Sequence, residues 1–202
     1  MQRPTYTKDI DKRIDESPRD TLFIYSDFND LAPDKAVRKA ISRMEKSGKL
    51  VRVLKGVYGK PNYNEIIKEL IPPRPDIVAR TIARKYSWNI APIGVTALNL
   101  LSLSTQVPYV VEYVSDGPYR EYQFGSITIK FLHSANRELN GLSPISALVV
   151  QAIKALGKGK VTEQDINTVT SRLSSDDKNR LLSECRQVTV WIYDAIKEIC
   201  NR

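Results

Sequence analysis

Apolar positions recur at helical spacing along most of the chain and give way in places to short β-branched and aromatic runs. Ile10 and Ile14 stand four apart, which predicts a first helix over residues 5–16 with one apolar face. The apolar run Leu22-Phe23-Ile24-Tyr25 follows. Ser26 then offers an N-cap, and Asp27 a first-turn acid, for a short second helix ending near Leu31. After Ala32-Pro33, Asp34 caps a third helix that runs to about Ser47, with Gly48 as its stop. Val37, Ala40, Ile41 and Met44 fall on one face of that helix. Two short strands, over 50–54 and 57–59, are joined by Lys55-Gly56. Three helices followed by a hairpin is the plan of a winged helix-turn-helix.

Residues 63–71 predict a short connecting helix. It stops at Pro72-Pro73-Arg74-Pro75, where three prolines in four residues favour a stiff extended link. Beyond it the pattern predicts helices over 76–86 and 94–101, the latter with Ala97, Leu98 and Leu101 on one side. Strands follow over 109–114 and 126–132, with Asp116-Gly117-Pro118 as a turn between them. Ser143 with Pro144 opens a helix over 145–156, and Thr162 begins another with Glu163 and Asp165 near its positive end. Helices over 177–184 and 188–200 complete the chain. The expected class is α+β: a winged helix-turn-helix DNA-binding domain over 1–62, a connecting helix and Pro-rich linker over 63–75, and a larger α+β domain over 76–202. That larger domain has a small central sheet and C-terminal helices.

Composition adds little to this picture. With 202 residues, 42% hydrophobic and 27% charged, the chain can bury a substantial core. No stretch reaches the ~18 apolar residues of a membrane span. The N-terminus lacks an apolar signal core, so the expected location is cytoplasmic, with no membrane partner. Cys185 and Cys200 have no metal-ligand neighbours in sequence and are expected as reduced thiols.

Charge changes the picture. From Lys35 to Lys60 there are nine basic residues (Lys35, Arg38, Lys39, Arg43, Lys46, Lys49, Arg52, Lys55, Lys60) and one acid, Glu45. That segment carries +8, which is the net charge of the whole chain; the remaining 22 basic and 22 acidic residues cancel. So localised a charge points to one anionic partner at one site, and a phosphate array is the first candidate. On the third helix Lys35, Arg38, Lys39, Ser42, Arg43 and Lys46 oppose the apolar face. The N-terminal part of a recognition helix points at bases, which assigns Lys35, Arg38, Lys39 and Ser42 to base or near-base contact and Arg43 and Lys46 to phosphate. Lys49, Arg52 and Lys55 of the hairpin reach flanking backbone or minor groove. The bland alternative is a solvated or protein-binding face. An ordinary exposed helix, however, mixes signs to gain i,i+4 pairs, and this one has a single Glu. One small domain binds modestly; a homodimer on an inverted repeat is the usual remedy, and the sequence shows no zipper.

Candidate chemistry elsewhere is sparse. Ser104, Thr105 and Gln106 could bond a ligand or nucleic acid, or simply local backbone at a helix-to-strand turn. Tyr109, Tyr113, Tyr119, Tyr122 and Arg120 could stack on bases, or pack in the sheet. Gly157-Lys158-Gly159-Lys160 lacks the phosphate-loop spacing and follows a helix, so a turn before Thr162 is expected. His133 is the sole histidine, and no triad or zinc site can be built from it. Asp116 and Lys130 could belong to a nuclease, but Thr128 stands where an acid is required. No catalytic residue, metal or cofactor is expected.

Several blocks resemble a known family. Ser26-Asp27-Phe28, Ala36-Val37-Arg38-Lys39-Ala40-Ile41-Ser42-Arg43-Met44, Lys46-x-Gly48-Lys49-Leu50 and Lys55-Gly56-Val57-Tyr58 resemble winged-helix antitoxin domains of the AbiEi type. The segment from Pro92 and Gly94 through Ala97-Leu98-Asn99-Leu100-Leu101 to Leu103-Ser104-Thr105-Gln106-Val107-Pro108 resembles the block that follows in those proteins. Ser115-Asp116-Gly117 resembles their Thr-Asp-Gly element with Ser for Thr, and Ala147-x-x-x-Gln151-Ala152-x-x-Ala155-Leu156-Gly157-Lys158 also fits. The resemblance implies a non-enzymatic antitoxin of a type IV toxin–antitoxin, abortive-infection system. Its winged domain would repress the operon at promoter inverted repeats. Its larger domain, with Ser104, Thr105, Gln106, Asp116 and Arg120 as a candidate surface, would counter a nucleotidyltransferase-like toxin without need of a stable complex. The rival expectations are a ligand-responsive repressor unrelated to toxins, and a DNA-targeted nuclease or nucleotidyltransferase.

Overall fold

The computed structural model describes residues 6–64, 66, 68–134 and 141–202. The protein is mixed α+β and divides into two compact units, Met1–Ser87 and Trp88–Arg202. None of its helices, among the described residues, is long and apolar enough to cross a membrane.

The first unit begins with helix α1 (Tyr6–Glu16), strand β1 (Leu22–Phe23) and a 3₁₀ turn (Tyr25–Phe28). The backbone N–H of Ile24, not Ser26, opens that turn, donating to Asp27 Oδ2 at 2.8 Å. Helix α2 (Asp34–Lys46) follows, then strands β2 (Val51–Leu54) and β3 (Val57–Gly59). The three strands form an antiparallel sheet in the order β1-β3-β2. Gly56, at φ +76°, makes the tight turn between β2 and β3 that a residue with a Cβ would strain to make. Ile10 and Ile14 of α1 meet Val37, Ala40, Ile41 and Met44 of α2, with Phe23, Phe28, Leu50 and Tyr58 filling the same core.

The described residues of 63–71 do not form the expected connecting helix, of which residues 65 and 67 lie outside the described residues. Strands β4 (Tyr63–Asn64) and β5 (Glu69–Leu70) pair antiparallel, Tyr63 against Leu70 and Asn64 against Glu69. The Asn64 side chain accepts from the N–H of Ile66 at 2.9 Å, a local turn bond that competes with helix, and Lys68 adopts φ +53°. Helix α3 (Pro75–Tyr86), with Pro at its first position, belongs to the first unit rather than beyond a boundary at the prolines. Arg84 ties it there, donating to the carbonyl of Leu22 at 2.9 Å and pairing with Asp27 at 3.0 Å. Lys85 donates to the carbonyl of Lys55 at 2.6 Å.

The second unit holds a four-stranded sheet of β6 (Ile90–Pro92), β7 (Val110–Ser115), β8 (Arg120–Phe124) and β9 (Ile127–His133) in the order β6-β7-β9-β8. The chain leaves β7 at Asp116-Gly117-Pro118, runs out along the edge as β8, and returns as β9 between them, parallel to β7 and antiparallel to β8. Helix α4 (Gly94–Leu100) precedes β7. Helix α5 (Pro144–Leu156) is buried at every position from Ser146 to Ile153, the mark of a central helix packed on all sides. Around it lie α6 (Glu163–Thr170), α7 (Ser175–Glu184) and α8 (Val190–Cys200). Thr162 with Asp165, and Ser174 with Asp177, form reciprocal caps on α6 and α7. Cys185 and Cys200 are free thiols; burial pushes Cys185 up to about 11.

One cap crosses between helices. Ser143, the N-cap of α5, donates its own N–H to Glu184 Oε2 at 2.8 Å. Burial opposes the charge on Glu184, yet hydrogen bonds from the Ser146 hydroxyl and from Ser143 outweigh it and hold the carboxyl below its ordinary range. Glu184→Ala is expected to cost about 1–2 kcal/mol at neutral pH. Because the native carboxylate is favoured over the unfolded one, this contribution is present above the ordinary carboxylate range and is lost as pH falls through and below it. Urea unfolding of both proteins across that range should show the difference shrinking with acid. A constant difference would assign the loss to packing.

Candidate nucleic-acid interface

The apolar face of α2 fixes which way its other face looks. With Val37, Ala40, Ile41 and Met44 buried, Lys35, Arg38, Lys39, Ser42, Arg43 and Lys46 are all exposed on the opposite side. Asp34 opens the helix and Ser47 closes it, and Gly48 at φ +76° turns the chain toward β2. Arg52 and Lys55, on β2 and the hairpin turn, are also exposed. Among the described residues, Lys35, Lys39, Arg43, Lys46, Arg52 and Lys55 enter no ion pair. Six cations therefore face solvent without a protein counter-charge, on one helix and the hairpin that follows it.

Two lysines of the same block are placed otherwise. Lys49 is half-buried between Asp11 and Asp15 of α1, 2.9 Å from the latter, and these two carboxylates raise its affinity for the proton. Lys60 donates to the backbone carbonyls of Asp15 and Ser17. Both fasten the hairpin to the end of α1. Their role is cohesion of the unit, which charge counting does not reveal because α1 supplies the acids from far away in sequence.

Arg38 is exposed but held. Its Nε donates to Asp34 Oδ2 at 2.7 Å, and its Cζ lies 4.3 Å from the centre of the Tyr25 ring. The hydroxyls of Tyr25 and Tyr58 are 2.7 Å apart. Burial, then the bond to Tyr25, raises Tyr58 to about 12, so this phenol stays neutral. Tyr58 sits on the central strand opposite both Phe23 and Arg52. Sequence reasoning overlooked Tyr25, Tyr58 and Asp34 as neighbours of the cationic face. The i,i+4 spacing of Asp34 and Arg38 was a signal for one of them; the tyrosines meet only through tertiary pairing.

The second unit's candidates do not gather. Ser104 accepts from the N–H of Gln106 at 3.2 Å, and Asn99 donates to the Gln106 carbonyl, so this loop bonds itself. It enters β7, whereas Asp116 leaves it; six residues of strand, about 20 Å, lie between. Asp116 grips Asn89, accepting from its backbone N–H at 2.9 Å and its side-chain amide at 2.8 Å. Ser115 is buried and accepts from the N–H of Gly117 at 3.0 Å. Among the described residues, the side chains of Thr105, Gln106 and Arg120 are exposed and make no bond. Of the tyrosines, Tyr113 is buried on Phe131 and Tyr122 meets the same ring edge-on, while Tyr109 and Tyr119 are exposed. Lys130 pairs with Glu121 across the sheet at 3.0 Å. Among the described residues no three His, Cys, Asp or Glu side chains come together as a metal-binding group.

Residues 9–181, from α1 into α7, match a family described as one of unknown function, DUF6088. The chain belongs to this family. No curated protein matches the DUF6088 chain. Among solved structures, the crystal structure of the RV2827C protein from Mycobacterium tuberculosis is similar over 99% of this DUF6088 chain and 78% of that one, at 13% identity and a TM-score of 0.44.

Proposed function

We propose that this DUF6088 chain is a cytoplasmic, sequence-specific DNA-binding autorepressor whose first unit is a winged helix-turn-helix. We propose further that it is the antitoxin of a type IV, abortive-infection pair, countering a nucleotidyltransferase-like toxin. The observation that carries the first reading is the set of six exposed, unpaired cations on α2 and the β2–β3 hairpin. In this reading α2 enters the major groove, with Lys35, Arg38, Lys39 and Ser42 near base edges, the ammonium groups of Lys35 and Lys39 also meeting phosphate, and Arg43 and Lys46 on phosphates. The hairpin lays Arg52 and Lys55 on flanking backbone. Lys49 supports the unit from within. The target is double-stranded DNA carrying inverted repeats in its own promoter, met by a homodimer. Support for the antitoxin role is the sequence resemblance of the blocks from Ser26 to Tyr58, Pro92 to Pro108 and Ser115 to Gly117.

The test uses the full chain and a duplex from its own promoter, with binding followed by fluorescence anisotropy as salt is raised. Six neutralised phosphates should give a log–log slope of about −5. A flat dependence, or equal affinity for scrambled duplex, defeats the DNA-reading assignment. For the second half, the adjacent gene product is expressed alone and with this chain. Arrest by the neighbour and rescue by the chain supports the antitoxin role; a harmless neighbour leaves a repressor unrelated to toxins.

A further inference from the structure

We propose that Arg38 reads a guanine in the operator and that Asp34, Tyr25 and Tyr58 are the positioning residues that hold its guanidinium for that contact. The inference rests on the DNA-binding reading above and gives it a base and an atom. An exposed arginine ordinarily samples many rotamers and must be ordered when it binds. Arg38 is ordered beforehand from two sides. Asp34 holds Nε at 2.7 Å, and the Tyr25 ring underlies Cζ at 4.3 Å. The ring is itself fixed by its hydroxyl, 2.7 Å from that of Tyr58, which is buried on the central strand. The guanidinium of α2 is thereby referenced to the sheet.

What the restraint leaves free decides the base. With Nε–H committed to Asp34, the two terminal nitrogens, Nη1 and Nη2, remain as a planar fork and make no bond among the described residues. Two parallel donors require two adjacent acceptors. In the major groove guanine alone offers them, at N7 and O6; adenine presents an acceptor beside a donor, and thymine a lone carbonyl beside a methyl. Lys35 and Lys39, on the same face and without partners, are point charges suited to phosphate or single acceptors. The bland reading of Asp34–Arg38 is a surface i,i+4 pair of little energetic weight. It does not account for the tyrosine beneath the cation or for the second tyrosine beneath that.

The experiment is selection from a randomised duplex pool with the full-length protein, followed by affinities for single-base variants of the selected site. Wild type should select a site with a guanine in each half that cannot be replaced without a loss of about tenfold or more. Arg38→Lys should retain binding and the salt slope but lose that guanine preference alone. Asp34→Asn removes a negative charge beside the site, so binding to unrelated DNA should rise while guanine discrimination falls. A change that merely weakened the fold would not move the two in opposite directions. Tyr58→Phe, which removes only a hydroxyl, should blunt discrimination at the same position. If wild type selects no sequence, the DNA-reading function itself fails. If it selects a site whose preferences are the same in Arg38→Lys, the Arg38 assignment is wrong and the function stands. A guanine preference lost in Arg38→Lys but untouched by Asp34→Asn and Tyr58→Phe overturns the positioning roles.

Discussion

Replacing Lys35, Lys39 and Arg43 together by alanine is expected to lower affinity for duplex DNA by about a thousandfold near 0.1 M salt. The magnitude follows from counterion release. Each phosphate left without its cation takes about 0.9 from the log–log salt slope, which near that salt concentration is worth roughly tenfold in affinity. The slope itself should flatten by about 2.7 for the three. The fold should survive, because all three side chains are exposed opposite the Val37–Met44 face and alanine is the best helix former. Circular dichroism and the unfolding midpoint serve as the check. Lys49→Ala supplies the contrast. Its ammonium group is spent on Asp11 and Asp15, so its removal should loosen the first unit and leave the salt slope unchanged. If Lys49→Ala flattened the slope and the triple variant did not, the hairpin rather than α2 would be the charged contact.

The cationic face was legible in the sequence for a simple reason. Helix α2 is thirteen residues long, its apolar positions repeat with the helical period, and nothing beyond the helix is needed to say which residues share a side. The same holds for α5, whose Ser143-Pro144 start and nearly continuous apolar run announce a buried helix. What was not legible depends on pairing at a distance. Strands β6 and β8 are three and five residues long, and Arg120-Glu121-Tyr122-Gln123-Phe124 is polar enough to pass for a loop. It becomes a strand because Glu121 and Tyr122 lie opposite Lys130 and Ile129. Residues 63–71 have helical composition, but the Asn64 side chain turns back on Ile66, Lys68 adopts φ +53°, and Tyr63 and Asn64 pair with Leu70 and Glu69 instead. Lys49 looked like its neighbours until α1 brought two aspartates to it. Nor does the sequence show that both oxygens of Asp116 accept from Asn89, twenty-seven residues earlier.

With Asp116 so engaged, the Ser115-Asp116-Gly117 element ties the ends of the sheet together, and the second large effect arises there. Gly117→Ala is expected to destabilise the second unit by about 2–3 kcal/mol, at the upper end of overpacking losses. A Cβ at Gly117 would lie 2.3 Å from Cε2 and 2.5 Å from Cδ2 and Nε1 of Trp88, in the middle of the indole. The ring has little room to retreat, since it packs edge-on to Phe131 at 5.5 Å between centroids. The backbone is pinned as well. The N–H of Gly117 donates to Ser115 Oγ, its carbonyl bonds His133 Nδ1 at 2.9 Å, and Asp116 holds Asn89. The element is thus a clasp on the ends of β6, β7 and β9. Both tryptophans of the chain, Trp88 and Trp191, lie in the second unit, so tryptophan fluorescence follows its unfolding in urea. Trp88→Leu removes the obstacle, though it carries its own cost. In that background Gly117→Ala should lose most of its effect, because a double-mutant cycle isolates the clash. Equal losses in the two backgrounds would place the cost in the backbone of the turn and not in the indole.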